Sequence, residues 1–253
     1  MNQDDINNIW SDVWRSESSE SQTSLFKHRL FVEGYPIFKK YIPQEVKKIL
    51  DIGGGTGRYG VAFARDFPNS TVTVADILPE SLVIGRNLAE SIKVPNVVFD
   101  EQDINTLSYS DSTFDVVFCD VVIQHLPEVE VAMRQMRRVL KKDGILIVSA
   151  VNQWNFHTVF KILIRFFGVK YRYGYEKSYS RSELATLVKA LELELVALDG
   201  FYPAYGVYRL KVHSLFFSIL GKVFNRITKS VDAITGRFCS RFFEFEVFVV
   251  VKK

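Results

Sequence analysis

The sequence predicts a doubly wound α/β fold, a mostly parallel sheet covered by helices on both faces. Three observations carry that prediction. Short β-branched and apolar runs alternate with helical patterns from Ile49 to Ser149, the order that places parallel strands beneath crossover helices. The first run, residues 49–52, breaks into Gly53, Gly54, Gly55 and Gly57 before a helical pattern begins. Acids recur at the carboxyl ends of the runs, where sheets of this kind bind ligands.

Taken in order, residues 49–52 form the first strand and carry Asp51. Val61, Ala62, Ala64 and Phe67 set the apolar face of the helix after the glycines. Residues 71–75 read as the second strand, closed by Asp76 and Ile77. Pro79 opens a helix whose apolar positions are Leu82, Val83, Leu88 and Ile92. The third strand is expected at 96–99, with Asp103 and Ile104 in the loop beyond it. Residues 114–119 are nearly all apolar, as a central parallel strand requires, and lead into Asp120. A helix over 127–140, a turn at 141–144 and a fifth strand over 145–149 follow.

A strand, a glycine turn and a helix N-terminus in that order suit a nucleotide-type cofactor. Glycines permit positive φ and close backbone approach, and the open N–H groups of the helix start face the same crevice. Two readings of the loop compete. From Gly55 it matches Gly-x-Gly-x-x-Gly through Gly57 and Gly60, with Asp76 about twenty residues on, as in dinucleotide sites. From Asp51 it reads Asp-x-Gly-x-Gly-x-Gly, which resembles motif I of the class I S-adenosylmethionine-dependent methyltransferases. Charge favours the second: a carboxylate beside the turn repels a pyrophosphate but attracts a sulfonium and an ammonium.

The resemblance covers residues 45–150 well and 179–201 more loosely. It implies a Rossmann-like, seven-stranded sheet whose last strand, over 245–251, is antiparallel. It also implies S-adenosylmethionine as cofactor and S-adenosylhomocysteine as product. Asp51, Gly53, Gly54, Gly55 and Gly57 would form the loop around the donor. Asp76, with Ile77 beside it, would take the ribose hydroxyls. Asp103 and Ile104 would read the adenine, and Asp120 would lie under the methionine part. His125, after strand four, is the candidate base for an acceptor that must lose a proton; its alternative is a structural histidine packing the loop.

Composition bounds the remainder. With 253 residues, 47% hydrophobic, the chain can bury one full α/β core with extensions. A net charge of +3 with no Lys/Arg run gives no argument for nucleic acid. The absence of a long uncharged apolar stretch and of a signal-type N-terminus leads us to expect a cytoplasmic protein. Cys119 and Cys239 read as free thiols, and no Cys/His spacing suggests a metal.

The acceptor must be read from segments outside the core. Residues 1–41 read as a helical cap, with Ile9, Trp10, Val13 and Trp14 at helical spacing, on a methyltransferase domain spanning 42–253. Insertions are expected at 152–179 and 203–243. Residues 158–167 are apolar apart from Lys161 and Arg165. Within 211–229, Leu215, Phe216, Ile219, Leu220, Val223, Phe224 and Ile227 share one side, and Lys222, Arg226 and Lys229 the other. The favoured reading packs these stripes on the core as a lid or homodimer face; the other is peripheral contact with an anionic membrane. The expected function is methyl transfer to an oxygen of a small, sugar-linked or lipid-linked acceptor. A non-catalytic S-adenosyl-ligand binding module and a nicotinamide-dependent oxidoreductase are the alternatives.

Overall fold

The computed structural model describes residues 3–17, 22–166, 171, 174–210, 216–236 and 238–253. Two helices, α1 (Gln3–Glu17) and α2 (Arg29–Lys39), precede β1 (Lys48–Ile52), with a 3-10 turn between them. The alternating core then runs α3 (Arg58–Asp66), β2 (Thr71–Asp76), α4 (Pro79–Ser91), β3 (Val97–Glu101), β4 (Phe114–Cys119), α5 (Val129–Val139) and β5 (Leu140–Val151). Beyond it come α6 (Phe156–Phe166), α7 (Arg181–Lys189), β6 (Glu194–Phe201), α8 (Tyr205–Arg209), α9 (Phe216–Thr235), α10 (Phe238–Phe242) and β7 (Glu246–Lys252).

The seven strands form one sheet in the order β3-β2-β1-β4-β5-β7-β6. β7 runs antiparallel to both β5 and β6, and the other neighbouring pairs are parallel. Alternation along each strand divides the core into two layers. Leu50, Val117 and Val249 face α5 and α7, packing with Met133, Met136 and Leu184. Ile49, Phe118 and Val250 face the opposite side, with Phe38 of α2 and Phe63 of α3. Strand order reverses between β1 and β4, so the crevice outside their carboxyl ends is where a ligand belongs.

Several expectations need correction. The turn at 141–144 is absorbed into a longer β5: a bulge in the pairing with β4 and a positive φ at Asp143 bend that strand without ending it. The helix before it is shorter than 127–140, since Leu140 already pairs with Phe114. β3 lies one residue later than 96–99 and extends to Glu101. Val83 points outward; α4 packs through Leu82, Gly85 and Leu88. Lys161, one of the two charges within 158–167, lies buried, its Nζ 3.0 Å from Glu176 Oε1. The side chain of Arg165, and all of Leu215, lie outside the described residues. Of the stripe on α9, Phe224 packs against the core beside buried Gly221 and Thr228, whereas Phe216, Ile219, Leu220, Val223 and Ile227 are exposed.

Candidate active site

At the end of β1 the chain turns through Gly53, Gly55 and Gly57, each at positive φ between 53° and 69°. That is the conformation glycine adopts without a side-chain penalty. Close approach fixes two of them further. A Cβ on Gly53 would lie 2.4 Å from Val122, and one on Gly55 would lie 2.9 Å from the ring of Trp14. The loop is therefore held between the segment after β4 and helix α1. Two carboxylates tie it down. Asp51 Oδ2 accepts from Gly60 N at 2.8 Å, and Asp76 accepts from Gly55 N at 2.8 Å and Leu78 N at 2.9 Å.

Beside this loop opens a crevice of approximately 770 Å³. The structure brings Asp51, Gly53, Gly54, Gly55, Asp76, Ile77, Asp103, Ile104, Asp120 and His125 together on its wall. Gly57 stays behind, packed near Phe99 and Gly85, where it shapes the turn. Asp103 Oδ1 accepts from Asn105 N at 2.8 Å, and Ile104 is buried beside it. Asp120 accepts from Ser149 Oγ at 2.6 Å and faces the buried carboxyl of Glu246. Burial raises both carboxyls of this pair, Glu246 further because the Asp120 charge stands beside it. Burial, with the like charges of Asp120 and Asp76, pushes Asp51 up to about 8. Val121, next on the wall, sits at φ 51°, a rare conformation for a β-branched residue and a local store of strain.

His125 has a defined tautomer. Its Nδ1 lies 2.8 Å from the carbonyl of Tyr175, which can only accept, so Nδ1 carries the proton. Gln124 Oε1 is used by Val151 N, leaving the Gln124 amide nitrogen to donate to His125 Nε2 at 3.3 Å. The ring of Trp10 meets the imidazole edge-on at 4.9 Å. Burial lowers the histidine's affinity for a second proton.

Three features of the wall escape the sequence reading. Arg58 Nε, Tyr59 OH and Asn105 Oδ1 are buried without a hydrogen-bond partner, and all three residues contribute to the crevice lining. Orphaned polar atoms at this density call for a ligand with both donors and acceptors. With four acids around the loop, the wall fits a cationic, hydroxyl-bearing cofactor such as S-adenosylmethionine, and it offers a pyrophosphate mainly repulsion. Arg58 follows Gly57 directly and could have been suspected from its place at a helix start. Tyr59 and Asn105 carry no such signal.

Comparison with known proteins is consistent with this wall. Residues 44–169 match the profile of a methyltransferase domain family. The chain belongs to the class I S-adenosylmethionine-dependent methyltransferases. It is 37% identical over 103 residues to a ubiquinone/menaquinone biosynthesis C-methyltransferase of Cellvibrio japonicus, covering 40% of this chain and 41% of that protein. A ubiquinone biosynthesis O-methyltransferase of Paracidovorax citrulli is 26% identical over 167 residues, covering 62% of this chain and 68% of the other. A SAM-dependent methyltransferase structure from Aquifex aeolicus shares the fold at a TM-score of 0.58 and 14% identity, covering 92% of this chain and 99% of its own.

As a methyltransferase crevice, the wall continues past the loop into a second half. There Lys27, His28 and Arg29 from the N-terminal segment meet Tyr205, Tyr208 and Arg209 of α8. The Arg29 guanidinium lies 4.4 Å from the Tyr208 ring centroid, and Tyr205 OH lies 3.0 Å from His28 Nε2. Arg209 is anchored through Glu176 Oε2 at 3.1 Å, next to Lys161. Among the described residues no cluster of three or more His, Cys, Asp or Glu is placed to hold a metal.

Proposed function

We propose that this chain transfers a methyl group from S-adenosylmethionine to an oxygen of a small, sugar-linked or lipid-linked acceptor. The observation that carries the donor half is the set of orphaned atoms on Arg58, Tyr59 and Asn105, lying on a wall of acids. Asp76 keeps lone pairs beyond those given to Gly55 and Leu78, and would accept the ribose hydroxyls. Asp103 and Ile104 would read the adenine, one by accepting and the other by packing. Arg58 would pair with the methionine carboxylate, and Asp120 with the ammonium. The donor supplies a methyl group already activated as a sulfonium; the protein's part is alignment, worth up to roughly 7–11 kcal/mol.

For the acceptor half, the support is the cationic and tyrosine-rich lining of Arg29, Arg209, Tyr205 and Tyr208. His125 offers Nε2 as a proton acceptor only if Gln124 releases it, so a base role and a positioning role remain distinct proposals. The matched relatives carry C- and O-methyltransferase names, and both acceptor atoms belong in an assay. Calorimetry with S-adenosylmethionine, S-adenosylhomocysteine and NAD tests the donor half. Tight NAD binding without binding of either S-adenosyl compound would overturn it. Transfer of labelled methyl to hydroxyl-bearing acceptors tests the rest, and donor binding without transfer to any of them favours a binding module.

A further inference from the structure

We propose that the outer faces of α6 and α9 dock this protein onto an anionic membrane surface. On α9, Ile219, Val223 and Ile227 succeed one another four residues apart, and each is more than half exposed. That spacing keeps them on one side of the helix. The opposite side meets the body: a Cβ on Gly221 would lie 2.7 Å from the Tyr208 ring, and Thr228 is buried. On α6, Val159, Ile162 and Leu163 are likewise more than half exposed, while His157, Thr158 and Lys161 are buried. Phe156 meets Phe224 at 5.1 Å and Phe160 meets Phe217 at 6.0 Å, so the two helices are neighbours and their stripes adjoin. An apolar surface of this extent on a soluble face needs an occupant.

Charge identifies it. Lys222 and Arg226 stand exposed beside the α9 stripe, and no ion pair of either occurs among the described residues. The acid on α9, Asp232, is turned inward to accept from Cys239 N at 2.6 Å. Lys229 is committed to Glu33 at 2.6 Å. A second copy of this face would therefore bring more cations and no counter-charge, whereas anionic headgroups complement the rim. Among the described residues no helix is long and apolar enough to cross a bilayer, so the contact is interfacial. The surface adjoins the crevice, since Ser218 of α9 lines it together with Arg209 and with Tyr208, on which α9 rests. An acceptor anchored in the membrane would thus reach the site without leaving the interface.

Co-sedimentation of the full chain with vesicles reads this surface directly, whereas donor calorimetry reads the crevice, so either proposal can fail alone. The chain should pellet with phosphatidylcholine vesicles containing phosphatidylglycerol at low salt, and less so at high salt. Ile219→Asp combined with Val223→Asp should abolish pelleting while leaving the thermal unfolding transition cooperative. Lys222→Glu with Arg226→Glu, at sites already exposed, should weaken it by about tenfold or more. No pelleting at low salt would overturn the proposal. So would a dimer in sedimentation equilibrium that the Ile219/Val223 variant splits while vesicles stay unbound; that result gives the face to a second copy. Equal, salt-independent pelleting with pure phosphatidylcholine would overturn the anionic assignment.

Discussion

The two halves of the crevice are built in different ways. The donor half comes from strand ends and one glycine loop, with residues close in sequence: Asp51 bonds Gly60, and Asp76 bonds Leu78. The acceptor half is assembled from distant pieces. His28 meets Tyr205, and Arg209 is held by Glu176, which is held in turn by Lys161. A local geometry can be carried by a short motif, while a pocket assembled from distant segments can change its residues without disturbing the sheet. The two halves should therefore fail separately.

The largest separation is expected at Glu176. Its carboxylate is buried between Lys161 and Arg209. Burial alone would raise its pKa, but the two cations outweigh it and hold the group well below the usual carboxylate range. Glu176→Gln leaves two buried cations short of a counter-charge and should cost about 3–5 kcal/mol in chemical denaturation. Donor affinity of the folded fraction should stay within about threefold, because the donor half has its own ties. A parallel loss of donor affinity would show that the halves are one unit. The wild-type pair should lose its contribution only on acidification below the unfolded glutamate pKa near 4.5, since the folded value is depressed.

Next in size is Asp76→Ala. It removes a charged acceptor from the ribose position and from Gly55 N–H, and should weaken S-adenosylmethionine binding by about ten- to a hundredfold. Unchanged affinity in calorimetry would refute the ribose assignment. Arg58→Met keeps the apolar stem and removes the guanidinium. It should weaken S-adenosylmethionine by about tenfold, yet leave 5′-methylthioadenosine, which lacks the carboxylate, unaffected. Equal losses for both ligands would mean that Arg58 shapes the loop and does not read the methionine end.

How far each half was legible follows the same division. The antiparallel direction of the last strand followed from the resemblance to the methyltransferases, whereas the central strands and the acids at their ends were readable because continuous apolar runs and strand-end placement are local rules. The β5 bulge was not, because Lys141, Lys142 and Asp143 look like a turn until Lys253 supplies partners: its carbonyl takes Asp143 N, and its own N–H goes to Gly144 O. Which side chains of the α9 stripe meet the core was not legible for a related reason. Periodicity shows that an apolar side exists but not which way it faces, and Gly221 against Tyr208 decided that. Nor does the local sequence show that Lys161 meets Glu176, fifteen residues on.

The smallest effect sharpens what Asp51 contributes to the donor half. Burial, together with the charges of Asp120 and Asp76, raises it to about 8, so near neutral pH it is mostly protonated before the donor arrives. A cationic donor favours the ionised form, and binding then releases a proton. Apparent affinity for S-adenosylmethionine should rise as pH increases toward 8 and level off above it, by less than about tenfold between pH 7 and 8.5. Stability of the free protein runs the other way. The folded pKa lies above the unfolded value, so this group's contribution declines from about pH 4 to pH 8 and is flat beyond. Asp51→Asn holds the neutral form at every pH and should flatten the affinity profile while keeping a side-chain oxygen for Gly60 N–H. A variant that keeps the full rise between pH 7 and 8.5 would move the titration to Asp76 or Asp120 and leave Asp51 as the tie that holds the glycine loop to helix α3.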